Sequence, residues 1–577
     1  MKNSRNTNTV IGSSRLNLIL TMVLVFLLGA CSGVTTRVAD QAFVNGEIYT
    51  VDDKRSWAQA VAIRDGGIIF VGSNEGAKPY IGESTRVTDL TGKMMLPGFH
   101  DGHAHILDGG RSLNACNLQD SNDIDQIREL LIECRDTRHY GPDDWVIGTQ
   151  WQLTAFGPSG PSRIMLDEIF AGRPAIFMDS FGHNIWVSTQ ALKLAGINAQ
   201  TQNPAGGIIV RDPESAEATG TLRESAMNLV SNVVPPLTDG EKQANLSAGL
   251  AEAARYGITA FIEPGMQESD MQPYLAAQRN NTLSARVLAS LSPQGISASA
   301  FDDEVFDLIE KRNSFRGEYL SADSVKVFMD GVIETYTSNM LEPYSDTGGN
   351  FAPFYDQATA NTYYQKLDAL GVQIHTHAIG DGAIHTALNA YEYALEQNGP
   401  NDNRHQIVHL QLIDDADIPR FAALNVTANF QSLWANQDQY YHLAIPLVGQ
   451  QRADNFYSIK SVVDSGARVT GGSDWSVSSL NPLDAIEVAI RRQDPWTNDD
   501  PVHQASERVS LATMIDAYTR NGAWAMRLEG TSGSIEVGKR ADLIILDRNL
   551  FELSPEDINT ARVLLTLMDG REVYKAE

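Results

Sequence analysis

Basic residues are scarce in this chain of 577 residues: 44 Lys and Arg stand against 72 Asp and Glu, a formal net charge of −28. Phosphate binding needs a basic face, so the balance argues against nucleic acid as a partner. The acidic excess otherwise describes a soluble surface and names no substrate. Cysteine is scarcer still, at three, and Cys31 falls in an N-terminal leader. Cys116 and Cys134 remain; they could pair in an oxidising compartment, but geometry and not spacing decides that. A bilayer-spanning apolar run is missing as well. Residues 18–30 are apolar for about thirteen positions, too few to cross a membrane as a stable helix. No internal repeat or low-complexity tract is evident. What is present is 42% hydrophobic and 20% charged residues, a globular composition. The length allows a large core plus a second module.

The leader has its own logic. Lys2, Arg5 and Arg15 precede the apolar run, which ends in Leu28-Gly29-Ala30-Cys31. This looks like a bacterial lipoprotein processing site, with residues 1–30 removed and Cys31 acylated. The bland alternative is a plain secretory signal with a chance cysteine. Ser32 and Gly33 follow instead of the Asp that retains lipoproteins in the inner membrane. The expectation is therefore a lipid anchor on the periplasmic side of the outer membrane, with residues 31–40 as a tether and no other membrane contact.

Both ends of the body read as short strands with Gly and Asp turns: residues 43–50, 60–63 and 67–72, then 533–535, 541–546, 563–568 and 573–574. Residues 41–93 and 531–577 would together build one small β-sandwich. Between them, over 94–530, strands alternate with helical stretches, which points to a parallel α/β architecture. That span exceeds the ~250 residues of a plain (β/α)₈ barrel, so an insertion is expected around 105–240. Asn481 is a good N-cap with Pro482 behind it, predicting a helix through Arg492. A second helix should run from Ala383 to about Gln397, stopped by Gly399-Pro400.

The chemistry sits at the ends of apolar runs. Leu96-Pro97-Gly98-Phe99-His100-Asp101-Gly102-His103-Ala104-His105 turns abruptly histidine-rich. Residues 94–99 read as one buried strand. On extended backbone His103 and His105 would point to the same side, half of a transition-metal site. Alone, such a pair is more often two surface histidines. Residues 324–331 place Lys326 among apolar neighbours; alone, it reads as an edge-strand lysine reaching solvent, since burying it unpaired is expensive. Residues 372–381 carry His375 and His377, and 404–409 carry His405 and His409. His375 shares a face with His377 and reads as a residue supporting a ligand, as a substrate contact, or as a satisfied core histidine, the last being preferred. His405 falls at the opposite end of its strand from His409. Residues 469–474 end in Ser473-Asp474, which alone reads as a helix cap.

The run Leu-Pro-Gly-Phe-x-Asp-x-His-x-His resembles the first-strand motif of the metal-dependent amidohydrolase superfamily, and within it the amidohydrolase-3 group that includes N-substituted formamide deformylases. The resemblance covers nearly everything after residue 40. It extends to His377-Ala378-Ile379-Gly380-Asp381, to Gly182-His183-Asn184-Ile185-Trp186, and to Gly538-Lys539-Arg540-Ala541-Asp542-Leu543 near the C-terminus. It implies a (β/α)₈ TIM-like barrel with a small β-sandwich domain built from both chain ends. It also implies metal ligands His103, His105, Lys326, His377, His409 and Asp474 on strands one, four, five, six and eight. Lys326 could react with CO₂ to give a carbamate that bridges two metals. Asp474 would be the catalytic aspartate. His183 is a candidate substrate contact, and Trp475, where a small residue is more usual, would narrow the pocket. His100 replaces the commoner apolar residue.

The implied activity is hydrolysis of a non-peptide carbon–nitrogen bond in a small molecule by metal-activated water. One or two divalent ions per subunit are expected, zinc by default because the donors are imidazole-rich. The same residues would serve a lactone, an ester or a cyclic amide. The reading from a different class is an inactive, lipid-anchored binding protein, against which the intact six-residue set argues.

Overall fold

The computed structural model describes residues 38–577 except 120, 139, 142–143, 158, 181, 293–303 and 498–499. Its centre is an eight-stranded parallel sheet whose spatial order follows chain order. The strands are β1 (Phe99–Asp101), β2 (Ile258–Met266), β3 (Arg286–Leu291), β4 (Leu320–Phe328), β5 (Gln373–Ala378), β6 (Gln406–His409), β7 (Thr427–Phe430) and β8 (Val469–Gly471). Gly102 N–H donates to Gly471 O at 2.8 Å, so the chain just past β1 meets the end of β8 and the sheet is a nearly closed barrel. Every residue of β3 and β5 is buried, as strands covered on both faces must be.

The apolar run 94–99 is not one strand. Met94–Pro97 pairs with Leu543–Leu546 and Glu47–Tyr49 in a separate sheet, and only Phe99 onward enters the barrel. The chain changes sheets at Gly98, whose N–H donates to Asp542 O at 2.9 Å. A Cβ there would lie 2.2 Å from Thr259 Oγ1, so this crossing requires glycine.

Two further sheets come from the chain ends. One has four strands: Gly67–Gly72, Ala60–Arg64, Gln41–Val44 and Arg86–Asp89. The other has six and mixes both ends: Arg571–Lys575, Val563–Met568, Leu543–Leu546, Met94–Pro97, Glu47–Tyr49 and Trp57–Ala58. Phe43, Val61 and Ile63 of the first share an apolar cluster with Ile48, Met95 and Leu543 of the second. Ile535, expected in a strand, is not in one; its N–H donates to Thr50 O at 2.7 Å. The attachment to the barrel is ionic as well as apolar. Buried Arg286, at the start of β3, holds Asp542 at 2.7 Å and Asp569 at 2.9 Å. This contact lies at the amino ends of the strands, away from the carboxyl ends where barrels build their sites.

Between β1 and β2 lies another six-stranded sheet, formed by Gly207–Arg211, Ala218–Glu224, Asn184–Val187, Ala175–Asp179, Val146–Trp151 and Cys116–Asn117. Cys116 on its edge is disulfide-bonded to Cys134 in the helix Ile124–Thr137. α1 (Ile106–Asn114) leads from β1 into this insertion. α2 (Asp381–Asn398) ends at Gly399, and α3 (Pro482–Arg491) starts with Asn481 Oδ1 accepting from Leu483 N, both as the sequence predicts.

Candidate metal centre

The centre begins where β1 stops. Asp101, its last residue, is fully buried, and its carboxylate accepts from His103 N and Ser473 N, each at 3.0 Å. One side chain thereby joins the turn after β1 to the turn after β8. Burial drives its carboxyl up to about 7, its hydrogen bonds opposing. Two backbone bonds complete the seam: Asp474 N to His103 O at 2.7 Å, and His105 N to Trp475 O at 2.8 Å. His103 and His105 thus lie past the strand, contrary to the extended-backbone expectation. Their rings converge from a turn, at 86° to each other with centroids 5.3 Å apart.

Asp474 faces both. Its Oδ1 is 3.3 Å from His103 Nε2 and 3.2 Å from His105 Nε2, and the three candidate donor atoms lie within 4.8 Å of one another. Its Oδ2 is 3.7 Å from His409 Nδ1. Asp474 and His409 both take positive φ, at 53° and 84°, which few residues adopt outside a constrained turn. His409 Nδ1 bonds Gln431 Oε1 at 2.8 Å, and Trp434 stacks on its ring at 5.8 Å and 7°. His377 is 4.4 Å from His409 between ring centroids, with Nε2 3.2 Å from Gly331 O.

Lys326, two residues before the end of β4, is 3% exposed, and its Nζ lies 4.8 Å from the Phe328 ring centroid. Among the described residues no carboxylate pairs with it within 4 Å, so the edge-strand reading fails. Burial pulls its ammonium down from 10.5 to about 7.

His375 is where a satisfied core histidine needs amending. It is fully buried and hydrogen-bonded, with Nδ1 3.1 Å from Gln406 Nε2. Its other nitrogen is 2.6 Å from His103 Nδ1, so it orients a candidate ligand from behind. Spacing two before His377 hinted at this; the partner 272 positions away did not show in the sequence. His405 binds Asp368 at 2.9 Å outside the centre. His100 turns away too, its Nε2 2.8 Å from Ser532 Oγ.

All six expected ligands line one cavity of about 1710 Å³, as do His183 and Trp475. His183 comes from the insertion. Its Nδ1 lies 3.0 Å from Glu224 Oε2, and Glu224 in turn accepts from Thr337 Oγ1 at 2.8 Å. Burial lowers the His183 imidazolium, but Glu224 outweighs it and lifts the group to about 9. Trp475 packs over Gly109 of α1, where a Cβ would sit 2.2 Å from its ring. Cys31 lies outside the described residues.

The electrostatics suit a cation. Burial, with Lys326 next, takes His103 down to about 3, and burial holds His377 and His409 well below the usual imidazole range. These rings are neutral and carry lone pairs. Burial raises Asp474, yet the surrounding histidines, His103 first, hold it well below the usual carboxylate range. Four imidazoles, one carboxylate and an unpaired buried lysine are a donor set for a divalent transition metal.

The Amidohydrolase family profile matches residues 86–574. The chain belongs to that family. This amidohydrolase is 31% identical over 551 residues to the Arabidopsis thaliana protein LONG AFTER FAR-RED 3, covering 93% of this chain and 92% of that one. It is 26% identical over 566 residues to the N-substituted formamide deformylase of Arthrobacter pascens, covering 93% and 98%. Its fold matches an uncharacterized metal-dependent hydrolase of Pyrococcus horikoshii OT3, with TM-score 0.71, 22% identity, and 89% and 99% covered. The amidohydrolase is an enzyme that hydrolyses carbon–nitrogen bonds other than peptide bonds.

Proposed function

We propose that this amidohydrolase cleaves the amide bond of a small N-acyl or N-formyl amine, with His103, His105, Lys326, His377, His409 and Asp474 holding one or two zinc ions. The observation that carries the reading is the convergence of His103, His105 and Asp474 donor atoms within 4.8 Å, beside a buried lysine without a carboxylate partner. A divalent ion there would polarise the scissile carbonyl and lower the pKa of a water toward neutrality. Asp474, held as carboxylate, takes the proton of the attacking water and passes it to the departing amine. His375 and Gln431 keep His103 and His409 in place. Lys326, brought down to about 7, has neutral amine available to combine with CO₂. The carbamate forms as Nζ bonds the carbon and releases a proton, and it offers two anionic oxygens where an ammonium offers none. The deformylase likeness supports an N-substituted amide as substrate, with His183 and Trp475 contacting it. The two chain-end sheets with their shared cluster are read as a β-sandwich whose role is structural.

Removing metal with a chelator and restoring zinc or manganese, while following a panel of N-acyl and N-formyl amines, tests this reading. Activity should vanish and return; turnover by verifiably metal-free protein would sink it. We also propose anchoring through Cys31 at the periplasmic face of the outer membrane. The Cys116–Cys134 bond fits an oxidising compartment. Cys31→Ser should release the protein from membranes or block its processing, and a mature chain that starts well beyond residue 31 without lipid would refute the anchor.

A further inference from the structure

Glu334 lies in the short turn Ile333–Thr335 after β4, 8% exposed, on the wall of the cavity that holds the metal donors. Gln411 Nε2 donates to its Oε1 at 2.9 Å. Its own backbone N–H also acts on the carboxylate, and among the described residues no Lys or Arg pairs with it within 4 Å. The backbone ties this carboxylate to the metal centre on two sides. Gly331, three residues earlier, presents its carbonyl 3.2 Å from His377 Nε2, and Gln411 follows His409 by two.

The surroundings favour positive charge. Trp434, Tyr440 and Tyr457 line the same cavity, with Trp434 and Tyr457 edge to face at 6.5 Å. Asp438, half-buried, lines it too; its carboxylate accepts from Tyr440 N at 2.9 Å and Tyr441 N at 2.8 Å, and Glu334 acts on it as a like charge. His183 is the positive group that reaches Glu334 electrostatically, and its Nδ1 is committed to Glu224. Burial raises the Glu334 carboxyl above its ordinary value, with Gln411 opposing, and an occupant that brought positive charge and N–H donors would offset that cost. Carboxylate plus aromatic faces is the chemistry that recognises an ammonium or amidinium.

We propose that Glu334 binds a cationic nitrogen of the substrate, so that the enzyme selects N-acyl amines carrying a second, charged nitrogen. This deepens the hydrolase reading of the same site and rests on it. Matched probes test it: N-(ω-aminoalkyl)acetamides with linkers of three to six carbons, against N-alkylacetamides in which a methyl replaces the ammonium. Binding to the metal-reconstituted protein is measured by calorimetry. The wild type should bind the best ammonium probe at least tenfold more tightly than its neutral twin, and Glu334→Gln should abolish that preference. Equal or tighter binding of the neutral probe, binding of neither, or a preference that survives in Glu334→Gln overturns the proposal. The wild-type comparison needs no variant, so a poorly folded Glu334→Gln leaves the test decisive. Hydrolysis of the same probes is scored separately: ammonium preference without turnover would fault the hydrolase reading and leave Glu334 as a cation site.

Discussion

Replacing Lys326 by methionine should stabilise the metal-free protein near neutral pH while abolishing its activity. The side chain is 3% exposed, and burial brings its ammonium from 10.5 to about 7. At ~1.36 kcal/mol for each pH unit, the protonated form is penalised by about 5 kcal/mol. The folded pKa lies below the unfolded one, so between pH 7 and 10.5 the unfolded chain holds a proton that the folded protein has released. Stability from this group therefore rises with pH across that window. At pH 7 the opposition to folding is about 4 kcal/mol, and near pH 10.5 it is close to zero. Methionine is one atom shorter, unbranched and uncharged, so Lys326→Met should gain roughly 2–4 kcal/mol at pH 7, after allowing for imperfect packing. The assay is urea unfolding of metal-stripped wild type and variant, side by side, from pH 6 to 10. The difference should shrink as pH rises. A variant less stable than wild type at pH 7, or a difference independent of pH, would refute the reasoning. Metal and CO₂ should reverse the order by stabilising the wild type alone.

Three further outcomes are expected. His375→Ala should weaken metal binding about 10–100-fold, because His103 loses the ring that orients it at 2.6 Å; a competition titration with a chromogenic chelator reads this. Arg286→Ala should cost about 3–5 kcal/mol, since Asp542 and Asp569 are left buried without their shared partner, and denaturant unfolding measures it. Because Arg286 lies at the opposite end of the barrel from the metal donors, the kcat of the folded fraction should hold. Asp474→Asn should lower kcat by at least about 10²-fold with protein still folded, as the carboxylate that moves the proton is lost.

Some of this protein is written locally and could be read in one dimension. Asn481-Pro482 starts α3 because a cap needs only its own side chain and the next few N–H groups. Gly399 ends α2 for equally local reasons. The histidines, Lys326 and Asp474 stand at or near strand ends in chain order, and a parallel barrel keeps chain order as spatial order, so their convergence was legible. What the tertiary structure alone decided involves partners far apart in the chain. Gly98 divides residues 94–99 between two sheets because Thr259 leaves no room for a side chain and Asp542 O accepts its N–H, contacts no run of apolar letters encodes. His103 and His105 leave the strand because Asp101, two residues back, and the turn at Asp474, past the neighbouring β8, bind this turn. His375 becomes the support of His103, and Glu334 a fixed carboxylate beside Gln411, only when residues 272 and 77 positions apart along the chain are brought together. Propensity and spacing specify which donors a strand can present; burial and long-range hydrogen bonds decide which way each one points.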